Sequence, residues 1–328
     1  MPHPKGIAVD EAANRIYIAS LSTNSLYVVD GATHGLIKQI PVGQLPWGVD
    51  LNPATRRVYV ANSGSGNSVS VVNMDTLAVV QTIAMGAGSE PTQVAVNRTT
   101  NRIYVALHKG SQVKVIDGAT NAIVATVGNI PSAFDVVVDE AQNIIFVSAR
   151  DAGYIAAIDG VTNAEIYSLR NYPGGNPYMM ALDTGLKRLY VVYAPFNTLV
   201  LNRRGIPVAG FMPLRNPDGI LKQTAGDPNK IAVFEVKPMD LGRLTTWTAG
   251  QAGAQGGVGI GANRSTGSVF VSNSAANTLS VFDGQTLGNV ATLPMPGDPA
   301  DIGINSVLNR AYVSNRSANV VKMVPDIW

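Results

Sequence analysis

The chain contains no cysteine, which excludes disulfide staples, thiolate metal sites and thiol nucleophiles. Charge is scarce: 14% of the 328 residues are charged and the formal net charge is +2, so there is no basic footprint for a nucleic acid. The three histidines, His3, His34 and His108, fall in different kinds of segment and do not combine into a three-histidine metal centre. Long apolar runs are missing as well. A stretch such as Phe134 to Val138 has the length of a strand, far short of the roughly 20 residues a membrane helix needs, so no integral membrane protein is expected. Amphipathic helical stretches between strands are also lacking, which argues against alternating β/α units.

What the chain has is apolar residues (46%), 33 glycines and 19 prolines, a mixture suited to many short strands joined by tight turns. These residues repeat. Units open near Pro4, Pro46, Pro91, Pro131, Pro177, Pro217, Gln255 and Pro299, about 38 to 46 residues apart, the length of a four-stranded propeller blade. Each opening leads through an apolar strand and an Asx turn to a second strand carrying an aromatic: Tyr17, Tyr59, Tyr104, Phe146, Tyr190, Phe270 and Tyr312. The unit opening at Pro217 has Ala232 in that slot. A third strand ends in turns of the Asp117-Gly118-Ala119-Thr120-Asn121 kind, where Asx capping and positive φ are needed.

The reading is a single all-β domain over 1–328, a β-propeller of eight blades. Seven is the alternative, with 217–254 as an elaboration. The last unit reaches Trp328 without a fourth strand, so the last blade is expected to be three-stranded, with an edge open to pairing with another chain.

The segments Tyr59-Val60-Ala61-Asn62 and Tyr312-Val313-Ser314-Asn315, with Phe270-Val271-Ser272-Asn273 as a looser copy, resemble the YVTN-type β-propeller repeat family. The resemblance implies a surface-layer or secreted protein, placed extracellularly, in the periplasm or at the cell surface, with a scaffolding or binding role toward a protein or glycan. No leader of the basic-then-apolar kind precedes Pro4.

Fold analogy puts binding on the face shared by the loops before the innermost strands and those between second and third strands. The residue after each opening proline should ring the channel mouth there: Lys5, Trp47, Thr92, Ser132, Tyr178, Asp218, Gly256 and Ala300. Trp47, Gln93, Tyr178, Tyr193, Phe196, His108 and Arg150 are the candidate ligand-binding residues. Their aromatics read either as an amphipathic platform or as side chains that fill gaps and cover the channel.

Asp50 and Asp135 stand in innermost strands where sister units have Ala or Gly. A buried carboxylate there is tied to backbone amides or ligates something. With Asp218 and Asp301 at the mouth, they are the candidate ligands of a divalent cation such as calcium, although no cofactor is expected. By contrast, Asp10, Asn52, Asn97, Asp139, Asp183, Asn263 and Asn305 recur at one turn, and that repetition reads as turn chemistry.

No catalytic constellation is present. The main functional reading is therefore a non-catalytic binding scaffold. The alternatives are a metal-dependent lactonase or lyase built on the four aspartates, and an accessory subunit of a redox complex.

Overall fold

The computed structural model describes residues 1–169, 176–194, 200–201, 207–208, 230–237, 240–248, 259–286 and 288–328. No helix occurs among them, and so none is long and apolar enough to cross a membrane. Apart from a two-stranded ribbon, Val200–Leu201 with Pro207–Val208, they form seven radial sheets whose innermost strands contact one another in sequence around a ring, the first against the last. Within a blade the strands are labelled A to D from the channel outward.

Strands A are Pro4–Asp10, Pro46–Asn52, Pro91–Asn97, Ala133–Asp139, Asn176–Asp183, Ile260–Ala262 and Pro299–Asn305. Each blade is an antiparallel meander, and each sheet buries its faces against its two neighbours. The strand B aromatics fill these interfaces: Tyr17, Tyr59, Tyr104, Phe146, Tyr190 and Phe270 are fully buried.

The eight-blade expectation is corrected to seven. Strand A of the fifth blade contacts strand A at Ile260–Ala262 directly, which leaves no place in the ring for another blade. The segment that mimics a sixth opening supplies the outer half of the fifth blade instead: Lys230–Lys237 pairs with Arg188–Ala194 as strand C, and Asp240–Thr248 follows as strand D. Ala232 falls in the slot of a strand B residue because strands B and C are both central strands of a blade, with an apolar alternation in common. Pro217 itself, like Asp218, lies outside the described residues.

The seventh blade is three-stranded: Pro299–Asn305, Arg310–Asn315 and Val320–Pro325.

The turn between strands A and B ties blade to blade. Its first-position Asx residues are buried, and their side-chain oxygens cap the turn, as when Thr100 N donates to Asn97 Oδ1 at 3.0 Å. The free amide then reaches across. Asn52 Nδ2 donates to Asn101 Oδ1 (3.0 Å) and Asn97 Nδ2 to Asn143 Oδ1 (2.8 Å), while Asn263 reaches Asn309 and Asn305 reaches Asn14. The acceptors are the asparagines just before strand B, held at positive φ (51° at Asn101, 52° at Asn143), a conformation asparagine tolerates well. In the first blade the turn residue is Asp10 and the next blade has Arg56, so the direction reverses: Arg56 donates to Asp10 Oδ2, and the pair closes as an ion pair at 3.3 Å. Asn97 and Asn263, each followed by Arg and then Thr or Ser as in a glycosylation sequon, are thus fully buried in this framework; Asn315, in a third such triplet, is fully buried at the end of strand B.

Candidate functional site

The channel is shaped by irregularities at the start of the inner strands. Against strand B, register slips between Pro4 and Ile7, Pro46 and Val49, Ala133 and Val136, Pro177 and Met179, and Pro299 and Ile302. Such bulges release residues from the ladder and re-aim their side chains. The amides they orphan are met by serines on strand B: Asp135 N donates to Ser148 Oγ (2.9 Å), Gly259 N to Ser272 Oγ (2.7 Å) and Asp301 N to Ser314 Oγ (2.8 Å). Two of these hydroxyls in turn bond a carbonyl of the next blade: Ser148 Oγ donates to Tyr178 O and Ser272 Oγ to Ala300 O.

Register against strand B sets two levels within these bulges. Lys5, Trp47, Thr92, Phe134, Tyr178 and Ala300 occupy the upper level, and Gly6, Gly48, Gln93, Asp135, Met179, Gly259 and Asp301 the next. Five of the expected mouth residues are therefore in place, but Ser132 is replaced by Phe134. In the fourth blade Ala133, not Pro131, is the bulge-opening residue, paired with Ala149 as Pro4 is paired with Ser20. Counting from the proline therefore misplaces the blade by two residues. Asp218 and Gly256 lie outside the described residues.

The upper level is a plug. Phe134 stacks on Tyr178 with ring centroids 4.5 Å apart, and Trp47 meets Phe134 edge-on at 6.2 Å. Lys5 holds its ammonium 4.8 Å from the Trp47 ring centroid, and burial lowers its pKa to about 8, with Asp301 pulling the other way. Lys5, Thr92, Phe134, Tyr178 and Ala300 are all buried, and only Trp47 is half-exposed. Of the two readings of the aromatics, the geometry is that of side chains covering the channel.

Above the plug sits a charged roof from loops of the third and fourth blades. His108 bridges Glu90 (Nδ1 to Oε2, 3.0 Å) and Asp151 (Nε2 to Oδ2, 3.4 Å), and its ring lies edge-on to Phe134 at 5.7 Å. Lys109 pairs with Glu90, Arg150 with Asp151, and Ser132 Oγ donates to Asp151 at 3.0 Å. Arg150 also lies 4.8 Å over the Phe134 ring. The bond to Asp151 raises the His108 pKa, opposed by desolvation and aided by Glu90. Reciprocally, His108 and Arg150 hold Asp151 well below the usual carboxylate range against the effect of burial. Because Ser132 bonds the acid rather than the imidazole, this is not a nucleophile–base–acid relay.

Below the plug the channel opens into a cavity of about 270 Å³. Its closed end is formed by Gln93, Asp135 and Asp301; Val136, Val138, Met179, Leu182, Ile260 and Ile302 stand along its wall, and more of its accessible lining is polar than apolar. Toward the A–B turns Val138 and Leu182 become half-exposed, and Arg98 stands at the rim, bonded to Asp50 (2.9 Å) and Glu140 (2.7 Å). Gly48 makes the closed end possible, since a Cβ there would stand 1.9 Å from Gln93 Oε1.

The three described aspartates share one habit: each offers an oxygen to an amide of a neighbouring blade's inner strand. Asp50 Oδ2 accepts from Val96 N (2.8 Å), Asp135 Oδ2 from Met180 N (2.5 Å) and Asp301 Oδ2 from Ile7 N (3.1 Å). Asp50 and Asp135 sit at different levels, because Asp50 pairs with Tyr59 whereas Val137 is the residue opposite Phe146. Burial raises all three pKa values, that of Asp135 to about 7, where the amide of Met180 pulls down and the charge of Asp301 pushes up. No group of three acidic or histidine side chains is gathered for a metal among the described residues.

Trp47, Gln93, Tyr178, His108 and Arg150 thus converge, in the plug, its floor and its roof. Tyr193 lies on strand B opposite Pro177. Phe196 falls outside the described residues. Sequence reasoning missed Phe134, the centre of the plug, and Glu90, a partner of His108, whereas Asp151 was read with His108 and Arg150 in the loops of this face. An aromatic directly before a strand A aspartate was the one available signal.

No family model matches the chain, and no curated protein sequence matches it either. Its likeness is to solved β-propellers. A hydrazine synthase structure from Kuenenia stuttgartiensis superposes with a TM-score of 0.80 at 16% identity, covering 100% of this chain and 96% of that one. The Cps50 (Swd1) β-propeller domain of Myceliophteria thermophila gives 0.74 at 11% identity, covering 100% and 98%. At these identities what is shared is the fold.

Proposed function

We propose that this propeller is a non-catalytic binding protein that takes a small ligand into the channel from the face of the A–B turns, and that it works outside the cytoplasm or at the cell surface. The observation that carries the reading is the cavity: a compact space on the channel axis where the polar groups Gln93, Asp135 and Asp301 converge and polar surface outweighs apolar. At about 270 Å³ it falls just under the roughly 300–1,000 Å³ typical of ligand pockets, which favours a compact ligand. Asp135, with a pKa of about 7, both donates and accepts protons near neutrality, so the closed end suits an alcohol, amide or small sugar hydroxyl. Since each aspartate is already engaged by an amide, the carboxylates serve here as structural and hydrogen-bonding groups.

The test is a thermal-shift and calorimetric screen of small alcohols, amides and monosaccharides against the wild-type protein and Met179→Trp, which fills the cavity. Binding that raises Tm in the wild type and disappears in the variant is expected. Ligands that bind both equally, or a library with no ligand at all, would defeat the reading.

A further inference from the structure

The closed end of the cavity is built to accept hydrogen bonds and has few left to give. Gln93 engages both ends of its amide internally: Oε1 accepts from Val94 N at 3.1 Å, and the side chain bonds the carboxylate of Asp135. Asp135 accepts in addition from Val136 N (2.9 Å) and Met180 N (2.5 Å). Asp301 accepts from Ile7 N (3.1 Å) and from the amide of Ile302. An ionised carboxylate has about four acceptor positions, so the pair keeps roughly three open. Both carboxyls are more than nine-tenths buried, and both line the cavity. An open acceptor in such a place costs free energy until a donor meets it.

Charge points the same way. The cavity is lined by Asp50, Asp135 and Asp301 against one cation, Arg98, which Asp50 and Glu140 share at the rim. Among the described residues neither Asp135 nor Asp301 forms an ion pair. Lys5 acts on Asp301 from the plug, and Tyr178 beside it is kept neutral by burial, which raises its pKa. The His108 roof, with Glu90, Arg150 and Asp151, lies on the far side of Phe134.

We propose that the ligand of this cavity is a small primary ammonium ion on a short carbon chain, seated with its nitrogen toward Asp135 and Asp301. The proposal rests on the cavity being a small-molecule site and names the class of ligand. A primary ammonium brings three N–H donors, no acceptor and one positive charge, which matches the acceptors left open and the charge left unbalanced. Its carbon chain lies against Val136, Met179 and Ile302. A metal ion is a poorer match: about 270 Å³ is many times the size of a bare ion, and no third acid or histidine joins the pair among the described residues. An anion meets the wrong sign. Because Asp135 titrates near 7 in the free protein, the ammonium displaces a proton from it below that pH.

Three probes of nearly one size separate the charges: ethanolamine, ethylene glycol and glycolate, each titrated calorimetrically into the full chain at constant ionic strength. At pH 8 ethanolamine is expected to bind more tightly than ethylene glycol, and glycolate not at all. Lowering the pH to 6 should weaken ethanolamine about tenfold, because only the ionised fraction of Asp135 is competent. It should also release about one proton per ligand bound, read from the dependence of the enthalpy on the buffer. Ethylene glycol should show no such loss. Asp135→Asn, shown to be folded by its melting curve, should abolish both the preference for ethanolamine and its pH dependence while still binding ethylene glycol. The inference fails with the site intact if ethylene glycol matches ethanolamine at pH 8, or if ethanolamine binds equally at both pH values. It fails together with the site if none of the probes binds, or if Met179→Trp binds ethanolamine as well as the wild type does.

Discussion

At the scale of single residues, the strand B tyrosines carry an unusual burden. The hydroxyls of Tyr59, Tyr104 and Tyr312 are buried without a hydrogen-bond partner among the described residues, whereas that of Tyr190 donates to Gly284 O at 3.3 Å. Burial pushes the pKa of Tyr59 up to about 12. Phe146 and Phe270 fill the same slot without a hydroxyl. Tyr59→Phe should therefore be neutral or stabilising by up to about 1 kcal/mol, while Tyr190→Phe costs roughly 0.5–1.5 kcal/mol, as urea unfolding would show. Asp135 gives the protein a pH signature. Its folded pKa of about 7 exceeds the unfolded value near 3.9, so the folded state holds the proton more tightly between those limits. The contribution is fully present below about pH 4 and is lost as pH rises through 7. Unfolding free energies at pH 5.5 and 8 should differ in that direction, and Asp135→Asn should remove that part of the difference. The recurring aromatics and aspartates were legible in the sequence because repetition exposes them. The depth of Phe134 was not, because it depends on where a bulge falls in a blade that has lost its opening proline.

At the scale of elements, the A–B turn is where sequence and structure agree most closely. Seven Asx residues at one place read as turn chemistry, and they do cap their turns. Pattern alone could not reveal their second bond, to the asparagine before strand B of the next blade, because that contact spans more than forty residues. The Asp10–Arg56 pair is an informative exception, in which both sides of the contact changed together. Arg56→Asn alone should cost about 1–3 kcal/mol, since it leaves a buried carboxylate facing an amide partner of the wrong kind. Adding Asp10→Asn should recover most of that loss by recreating the asparagine pair used elsewhere. Additive effects in the double-mutant cycle would refute this coupling.

At the scale of the whole molecule, the ring closes without a shared blade. Blades one and seven are joined by packing of their inner strands, by Asn305 to Asn14, by Arg310 to the Gly31 carbonyl, and by Ser306 N to Glu11. The N-terminal residues add Met1 N to Asn319 O and His3 N to Asn319 Oδ1, both exposed. Among the described residues the strands of blade one and those of blade seven form separate sheets. Hydrogen exchange under native conditions should therefore find blades one and seven opening at lower free energy than blades two and three, and uniform protection around the ring would contradict this. The propeller itself was legible from periodicity, but the blade count was not. A strand C that copies the pattern of a strand B is distinguished only by which strands it pairs with.

The aromatic plug has one more consequence, for traffic. A channel stopped at one end is a blind alley: whatever enters past Arg98 leaves by the same door, in reverse order of arrival. A second molecule cannot push the first out from behind, so exchange there waits on spontaneous departure, and the time a guest stays is set by the rim rather than by the supply of competitors.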